Sequence, residues 1–451
     1  MKIYLDTLGC RLNQSEIENM ARQFRAAGHE IVASAEGAEL AVVNTCAVTN
    51  DAAADSRGRI RHLARLGVNE IIATGCWSTL QPKEAAKLPN ILRVIPNTQK
   101  DNLAAEILGL KHSSFIPSAA LPLRGLRRTS LHPSSFRFPL PGIHHRTRAF
   151  IKAQDGCDNH CTFCVTSVAR GASRSRASAD VISDIQFALA GGTKEIVLTG
   201  VHLGSWGQDI STSLNENLHL RDLIKTILYE TDTPRLRLSS LEPWDLDEDF
   251  FALWNASTAL SADARLMPHL HLPLQSGALS TLKRMARKTT PAAFRGLVSA
   301  ARARIPGVAI TTDIIAGFPG ETDEEFAESL AFIKEMDFAD GHAFTYSPRP
   351  GTAAARMSGQ IRLEVRKKRN HILRAVFEES AKSYRQKFIG QVASVLWESA
   401  AEVKDGDWQM QGHAENYLRV SARTSSSRWN EIDAVRLTEL TTDGLFGMIV
   451  S

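Results

Sequence analysis

The stretch Asp155-Gly156-Cys157-Asp158-Asn159-His160-Cys161-Thr162-Phe163-Cys164 places three of the six cysteines of this 451-residue chain within eight positions. Cysteines at CxxxCxxC spacing let one loop bind three irons of a [4Fe-4S] cube and leave the fourth iron open to a ligand. A zinc knot is one alternative, but it normally takes a fourth Cys or His at regular spacing. Scattered buried thiols are the other. The loop therefore predicts a reactive iron-sulfur site.

This loop resembles the cluster motif of radical S-adenosylmethionine enzymes, in which the open iron binds the methionine moiety of S-adenosylmethionine. The resemblance implies that Cys157, Cys161 and Cys164 are the iron ligands. It also implies that the aromatic residue before the third cysteine, Phe163, lies near the adenine.

The composition, with 43% hydrophobic and 23% charged residues, is typical of a soluble chain of two or three domains. No run of 18 apolar residues could span a membrane, and the N-terminus lacks the features of a signal peptide. We therefore expect a cytoplasmic protein with no membrane partner. Because the cytosol keeps thiols reduced, the six cysteines are expected to be ligands rather than disulfides.

Residues 1–110 alternate strand and helix patterns, which predicts an open parallel α/β sheet. A cysteine follows each of the predicted strands 2–7, 39–45 and 70–75; these are Cys10, Cys46 and Cys76. The carboxyl ends of parallel strands share one edge of a sheet, so the three thiols could converge there. Three ordinary buried cysteines explain the spacing equally well.

Residues 7–16 and 44–49 resemble the opening motifs of the methylthiotransferase family. The resemblance implies that residues 1–110 form the N-terminal methylthiotransferase domain. In that domain, Cys10, Cys46 and Cys76 would hold an auxiliary [4Fe-4S] cluster.

Residues 111–145 contain five prolines and no acidic residue, which predicts a basic interdomain linker. Residues 146–388 form the predicted radical domain and end in a basic helical stretch. Its strand candidates are 148–154, 195–201, 235–242, 269–276, 309–317 and 341–348. Six βα repeats predict an open, partial TIM-like (β/α)6 barrel with its functional residues at the carboxyl ends of the strands.

Several barrel residues are candidate contacts of S-adenosylmethionine. Gly192 either follows a helix end or forms a methionine-binding turn. Glu242 and Gln275 stand at predicted strand ends, where they would bind the ribose or the methionine amine, or only neighbouring backbone groups. Residues 313–322 resemble the adenine-contacting segment of the family, which implicates Asp313 and Gly317, while a tight turn with a helix cap is the plainer interpretation.

Residues 389–451 show short strand candidates typical of a small β-barrel, and residues 416–420 resemble the RNA-binding TRAM domain. The candidate RNA contacts there are Trp408, Tyr417 and Arg419. Residues 391–451 carry nine acidic and five basic residues, however, so a purely structural barrel is the alternative.

Three arginines close after the cysteine loop, Arg170, Arg174 and Arg176, are candidate phosphate contacts. A solvated basic face is the alternative for them. Two longer basic segments also stand out: residues 111–152 contain eight Lys or Arg and no acid, and residues 356–390 contain ten against three acids. This charge distribution slightly favours RNA as a partner.

The order of the three domains resembles the radical methylthiotransferases over nearly the whole chain. Residues 148–159, 269–277 and 282–285 resemble the branch that modifies N6-threonylcarbamoyladenosine at position 37, beside the tRNA anticodon. The implied activity is sulfur insertion at C2 of that base and then methylation, begun by a 5′-deoxyadenosyl radical. One departure is 165–168, Val-Thr-Ser-Val, where the family more often has Ile-Pro-Tyr.

The implied cofactors are two [4Fe-4S] clusters and S-adenosylmethionine, which serves once as radical source and once as methyl donor. The implied partners are the tRNA anticodon loop, an electron donor such as flavodoxin or ferredoxin, and a sulfur source. Three alternatives stay open. They are a methylthiotransferase for a ribosomal-protein aspartate or for N6-isopentenyladenosine in tRNA, a radical enzyme with structural N-terminal cysteines, and a non-catalytic metal-containing RNA-binding protein.

Overall fold

The computed structural model describes residues 1–109, 146–210, 218–260, 265–403 and 406–450, and the side chains of 255–260 are not part of that description. The predicted linker at 111–145 lies outside the described residues. Three successive folding units occupy the described ranges: a parallel α/β sheet, a partial barrel and a small closed β-barrel. The fold class predicted from the sequence is confirmed.

The N-terminal sheet is parallel, with strand order β2-β1-β3-β4-β5. Its strands are β1 Lys2–Thr7, β2 Glu30–Val32, β3 Leu40–Thr45, β4 Glu70–Gly75 and β5 Ile91–Ile95. Its helices are α1 Arg11–Ala26, α2 Asn50–Arg65, α3 Cys76–Leu80, α4 Pro82–Ala85 and α5 Leu103–Leu108. Every residue of β3 is buried, as a central strand covered on both faces requires.

The partial barrel is built from six parallel strands in two hydrogen-bonded groups, β10-β9-β6 and β11-β12-β13. Its strands are β6 Arg148–Lys152, β9 Glu195–Thr199, β10 Arg235–Leu238, β11 His269–His271, β12 Ala309–Ala316 and β13 Asp340–Thr345, and a short ribbon is made by β7 Gln154–Asp155 and β8 Arg174–Ser175. Parallel bridges from Leu236 to Leu266 and from Ser240 to His271 join the two groups into one curved sheet.

The helices of the barrel surround this sheet and enclose the largest hydrophobic core of the protein. They are α6 Thr166–Arg170, α7 Ser178–Ala190, α8 Leu220–Glu230, α9 Glu248–Leu260, α10 Leu279–Arg284, α11 Pro291–Arg304, α12 Asp323–Met336 and α13 Leu363–Gln386. Within the described ranges, no helix is both long and apolar enough to cross a membrane.

The C-terminal unit is a closed barrel with strand order β14-β15-β16-β18-β17. Its strands are β14 Val392–Glu402, β15 Trp408–Ala414, β16 Arg419–Thr424, β17 Ile432–Leu440 and β18 Leu445–Ile449. The sequence patterns missed β18, which is short and follows a polar turn. Tyr417 lies before β16 in the left-handed region with φ of 70°.

The terminal barrel covers only one end of the partial barrel. That barrel packs against the amino ends of the strands: Arg235 at the start of β10 donates to the Ser394 carbonyl at 2.6 Å, and Asn430 donates to the Gly192 carbonyl at 2.8 Å. The N-terminal domain packs on the side, where the Ser15 hydroxyl accepts from the Lys152 amide at 3.0 Å. The carboxyl ends of the strands therefore remain available for a site.

Candidate metal centres

Cys10, Cys46 and Cys76 follow three adjacent strands of the N-terminal sheet, β1, β3 and β4. The strand register places Thr7 opposite Asn44 and Thr45 opposite Gly75, so all three strands end at the same level. The three cysteines that follow are thereby brought to one edge of the sheet. The predicted convergence is a direct result of the parallel topology.

Two glycines allow the approach of these cysteines. Gly9 has φ of +95°, and a Cβ at this position would overlap the Cys46 sulfur. Gly75 has φ of +98°, and a Cβ there would overlap the backbone of Thr45. Only glycine combines this backbone conformation with so close a contact, so the Gly-Cys pairs 9–10 and 75–76 are a local signal for the site.

The three thiols lie within electrostatic range of one another. Cys46 is buried, and burial raises the pKa of its thiol; thiolates at Cys10 and Cys76 would raise that pKa further. A metal overcomes this, because a bound thiol is deprotonated. Two long hydrogen bonds involve these sulfurs: the Cys10 thiol donates to the Asn13 side-chain oxygen at 3.8 Å, and the Asn97 side-chain amide donates to the Cys76 sulfur at 3.7 Å.

The second set, Cys157, Cys161 and Cys164, lies on the loop that follows β7 at the carboxyl end of β6, and all three side chains are half-buried. The Cys164 amide donates to the Cys161 carbonyl at 3.0 Å, which curls the loop. The Asn159 amide points at the Cys157 sulfur at 3.4 Å. One short loop therefore carries all three thiols, as in clusters whose three irons are bound by a single loop.

Two side chains that sequence reasoning missed contact this loop. The Arg287 guanidinium lies 3.7 Å from the Cys161 sulfur and is held by the Glu242 carboxylate at 2.7 Å. Burial raises the pKa of Cys161, and Arg287 partly offsets that rise. The motif search could not find Arg287, because it lies 126 residues from Cys161 in the chain.

His202 is the other missed residue, and it lies beside the first cysteine of the loop. Its Nε2 is 2.6 Å from the Asp245 carboxylate, and its Nδ1 is 3.4 Å from the Asn159 amide nitrogen. Burial lowers the pKa of His202, but hydrogen bonds to Asp245 and to a Cys157 thiolate outweigh burial and raise the pKa to about 10. With that pKa, the imidazole carries a positive charge beside Cys157 at neutral pH.

Both cysteine sets consist of free thiols, the side chains that bind the irons of an iron-sulfur cluster. Throughout the described ranges, no three Cys, His, Asp or Glu side chains surround one point as the ligands of a lone metal ion would. In a [4Fe-4S] cluster each thiolate binds a different iron, so its ligands stand further apart. Sets of three thiols and no fourth protein ligand fit clusters with one open iron.

The predicted S-adenosylmethionine contacts fall into two groups. The first group lies toward the carboxyl ends of the strands: Glu242 follows β10, Gln275 follows β11 and Asp313 lies within β12. The backbone amide of Gln275 donates to the Asp313 carbonyl at 2.8 Å. Asp313 also lies 3.2 Å from His271 and 3.3 Å from His342. Burial raises the pKa of Asp313, but these histidines outweigh burial and hold it below its usual value.

Phe163 and Gly317 flank the apolar side of the loop. The Phe163 ring meets the Phe318 ring edge-on, with 6.5 Å between centroids, beside Met285 and Tyr346. A Cβ on Gly317 would overlap the Arg366 side chain, so here the close approach that glycine permits is to protein. The amide of Gly317 is already used by the Glu321 carboxylate at 2.9 Å.

Gly192 was wrongly predicted to contact S-adenosylmethionine. It follows the end of α7 and precedes β9, so it lies at the amino ends of the strands, and its carbonyl is bound by Asn430 of the terminal barrel. The cysteine loop lies at the carboxyl ends. The helix-end alternative is the correct one for this glycine.

The phosphate role predicted for Arg170 is also wrong, because the side chain is only 1% exposed. It binds Glu16 at 2.9 Å, Asp155 at 2.9 Å and the Asn13 oxygen at 2.7 Å. Arg176 is likewise held inside the protein, by the Lys152 carbonyl at 2.7 Å and by Asp184 at 2.8 Å. Of the three arginines, Arg174 has the most exposed side chain, at 46%.

Tyr417 does not present its ring to solvent as an RNA-stacking residue would. Its ring stacks on His413 with 4.7 Å between centroids and also meets His269 at 4.8 Å. Its hydroxyl is bound by Arg148 at 3.0 Å and by Arg11 at 3.1 Å. Tyr417 therefore joins the three folding units, which corrects its predicted role. Nothing in the structure tests Trp408 or Arg419 as RNA contacts.

The two cysteine sets are linked through α6, the helix that directly follows Cys164. Asn97 of the N-terminal domain donates to the Ala169 carbonyl at 2.9 Å while its amide also reaches Cys76. On the other side, Asn50 binds Ser347 at 2.9 Å and Arg349 of the partial barrel, and a Cys46 thiolate influences the pKa of Arg349. The N-terminal cysteine edge is therefore joined by short contacts to α6 and to the segment after β13.

Comparisons with known proteins agree with these features. Residues 2–95 match an uncharacterised protein family, UPF0004, and residues 151–333 match the radical SAM superfamily. The fold resembles the radical S-adenosylmethionine methyltransferase TsrM from Kitasatospora setae, with a TM-score of 0.55 and 16% identity over 78% of this chain and 77% of that one. The fold and the cysteine loop thus define a radical S-adenosylmethionine enzyme.

Curated relatives narrow the class. The chain is 33% identical to the threonylcarbamoyladenosine tRNA methylthiotransferase MtaB of Bacillus subtilis over 96% of this chain and 92% of that protein. The corresponding protein of Thermotoga maritima is 34% identical over 98% and 96%. A tRNA-2-methylthio-N(6)-dimethylallyladenosine synthase of Anoxybacillus flavithermus is 32% identical over 100% and 83%. The chain belongs to the radical S-adenosylmethionine methylthiotransferase family and is an enzyme.

Proposed function

We propose that this enzyme modifies tRNA, inserting sulfur at C2 of N6-threonylcarbamoyladenosine at position 37 and methylating it to the 2-methylthio derivative. The observation that supports the proposal is the contact of Asn97 with both Cys76 and α6, the helix after the second three-cysteine set, which links the two sets in one chain. The identity of 33% and 34% to relatives named for this substrate, over nearly their full length, supports the choice of base.

In this proposal Cys157, Cys161 and Cys164 hold the radical cluster, and Cys10, Cys46 and Cys76 hold the auxiliary cluster. Bound there, the two clusters and S-adenosylmethionine would supply radical and sulfur chemistry that acid-base side chains cannot, because the C–H bond of an aromatic base is unactivated. The tRNA, an electron donor such as flavodoxin or ferredoxin, and a sulfur source are the partners that this chemistry needs.

The residues around the clusters have positioning roles. Arg287 and His202 place positive charge beside Cys161 and Cys157, the two ends of the cysteine pair that opens the loop. Phe163 packs against the apolar cluster of Met285, Phe318 and Tyr346, so it would form an apolar wall beside a cluster held by the loop. In this proposal Gln275, past the carboxyl end of β11, and Asp313, within β12, would bind the polar groups of the nucleoside.

Nucleoside analysis tests the substrate. Digested tRNA from cells that depend on this protein is expected to contain 2-methylthio-N6-threonylcarbamoyladenosine, detected by mass spectrometry, and this nucleoside should vanish when Cys46→Ala or Cys161→Ala replaces the wild-type chain. If the nucleoside lost is instead the 2-methylthio derivative of N6-isopentenyladenosine, the substrate assignment is wrong. A mass change on a ribosomal protein with unchanged tRNA would overturn the RNA substrate altogether.

Iron analysis tests the two-cluster assignment independently. Anaerobic reconstitution of the wild-type chain is expected to give about eight irons per chain, and Cys46→Ala about four. The variant should still cleave S-adenosylmethionine under reducing conditions, since the radical loop is intact. Four irons in both proteins would show that the N-terminal cysteines are structural.

A further inference from the structure

The segment after β13 carries four exposed cations that no role assigned so far explains. These are Arg356, Arg362, Lys367 and Lys368, which we call the basic rim. The rim extends from the loop after β13 into the first turns of α13. Residues 356–368 contain one acidic residue, Glu364, so the local charge is strongly positive.

The rim side chains differ from the other arginines of the same segment. Arg349 binds Asn50, Arg366 binds the Tyr346 carbonyl at 2.6 Å, and Arg369 binds Glu321 at 2.6 Å and Asp323 at 2.7 Å. These three hold the segment to the protein. Among the described residues, the side chains of the rim have no hydrogen bond or ion pair, so the segment is fixed from within while its outer cations stay available.

The segment borders both cysteine sets. The Ala354 amide donates to the carbonyl of Thr162, inside the radical loop, at 2.9 Å. Arg349 is close enough to Cys46 that a thiolate there influences its pKa. The Gly320 amide donates to the Gly359 carbonyl at 2.8 Å, which ties the segment to the loop after β12. The rim therefore stands at the open carboxyl end, beside the place where a substrate must enter.

We infer that the basic rim binds the phosphate backbone of the RNA substrate and holds its loop over the two cysteine sets. This inference rests on the proposed tRNA substrate. Guanidinium and ammonium groups without protein partners are suited to phosphate, arginine as a fork and lysine as a point charge. An enzyme that acts on a loop base must hold the backbone while the base is unstacked, and cations beside the entrance provide that hold.

Phosphate contacts of the basic rim should contribute RNA affinity that does not depend on the base sequence. Cations that neutralise phosphates release counterions, so RNA binding should weaken with salt, and each lost contact should lower the slope of log K against log salt by about 0.7 on single-stranded RNA. The rim has no aromatic side chain for base stacking. It should therefore set affinity and leave the choice of base to the site.

The test compares two variants of the reconstituted full chain with equal changes in net charge. Lys367→Glu with Lys368→Glu alters the rim, and Lys225→Glu with Lys334→Glu alters exposed lysines of α8 and α12. Binding of an unmodified anticodon stem-loop RNA is measured by fluorescence anisotropy over a range of salt. We expect the rim variant to bind at least tenfold more weakly with a smaller salt slope, and the control to bind like wild type.

Iron content and RNA-independent cleavage of S-adenosylmethionine are expected to match wild type in both variants. Should the double reversal lose iron, Arg356→Gln with Arg362→Gln gives a milder test, with an expected loss of threefold or more. Equal binding by the rim and control variants would overturn the inference, whether both bind well or both bind weakly. A wild-type chain that binds no RNA would instead contradict the proposed function.

Discussion

Replacing Arg170 by methionine should loosen the contact between the N-terminal domain and the cysteine loop. The guanidinium neutralises two buried carboxylates, Glu16 of α1 and Asp155 at the start of the loop, each at 2.9 Å. Methionine fills similar space but carries no charge. The substitution therefore leaves both carboxylates buried with less compensation.

The free-energy cost of Arg170→Met depends on the partners that Glu16 and Asp155 keep. Removing one member of a buried ion pair typically costs about 3–5 kcal/mol. Glu16 keeps Lys100 at 2.7 Å, and Asp155 keeps the Gly156 amide at 2.8 Å together with Lys152 and Arg174, both at 3.7 Å. We therefore expect the lower end, about 3 kcal/mol. Since about 1.4 kcal/mol corresponds to tenfold, amides that exchange by opening of this interface should exchange about 100-fold faster.

Hydrogen exchange is the suitable measurement, because a chain of several domains does not unfold in one step. The amides of α1 and α6 should lose protection, and those of the terminal barrel should not. Arg174→Met is the matched control: its side chain is 46% exposed, so its weak pair with Asp155 should contribute less than about 1 kcal/mol. Exchange in α1 and α6 within threefold of wild type would show that Arg170 does not hold the interface.

Three further changes have defined outcomes. Gly9→Ala would place a methyl group on the Cys46 sulfur in a strained backbone, so iron content should fall toward about four per chain while S-adenosylmethionine cleavage continues. Burial raises the pKa of Glu195, but the surrounding arginines outweigh burial and lower the pKa to about 2, so its contribution to stability should be complete above about pH 5 and lost as the pH falls toward 2. Between pH 5 and pH 2, the thermal midpoint of Glu195→Gln should therefore change less with pH than that of the wild-type chain. Tyr417→Phe removes the acceptor of two arginine hydrogen bonds and should weaken the contact between the units by about 1.5–3 kcal/mol, measured as faster hydrogen exchange of the amides around Tyr417 with unchanged iron content.

Sequence patterns predicted most of the strands, because strands depend on local periodicity, and the parallel topology brings the predicted N-terminal cysteines to one edge of the sheet. The buried run of β3 and the cysteine after it are visible without a structure, and parallel pairing then places Cys46 beside Cys76. The six strands of the partial barrel were predicted for the same reason. The edge strand β2, with three residues, has too short a pattern to be recognised.

The failures concern contacts between distant parts of the chain. Arg170 and Arg174 are four residues apart and look alike in sequence, yet one is buried and the other exposed. The difference arises from Glu16, which lies 154 residues away and faces only one of them. The predicted contact of Gly192 with S-adenosylmethionine was wrong for a related reason. A glycine pair at a helix end has the same sequence pattern at either end of the barrel.

The buried charges between the domains have a consequence for how the two cysteine sets are held. An apolar interface permits small shifts, whereas a carboxylate bound by Arg170, Lys100 and Lys152 satisfies its hydrogen bonds in one arrangement only. Glu16 stands six residues after Cys10, and Arg170 stands six residues after Cys164. A displacement at this ion pair is therefore transmitted through less than two helical turns to each set of ligands. The charge network therefore holds α1 and α6, the helices that follow Cys10 and Cys164, in one fixed arrangement.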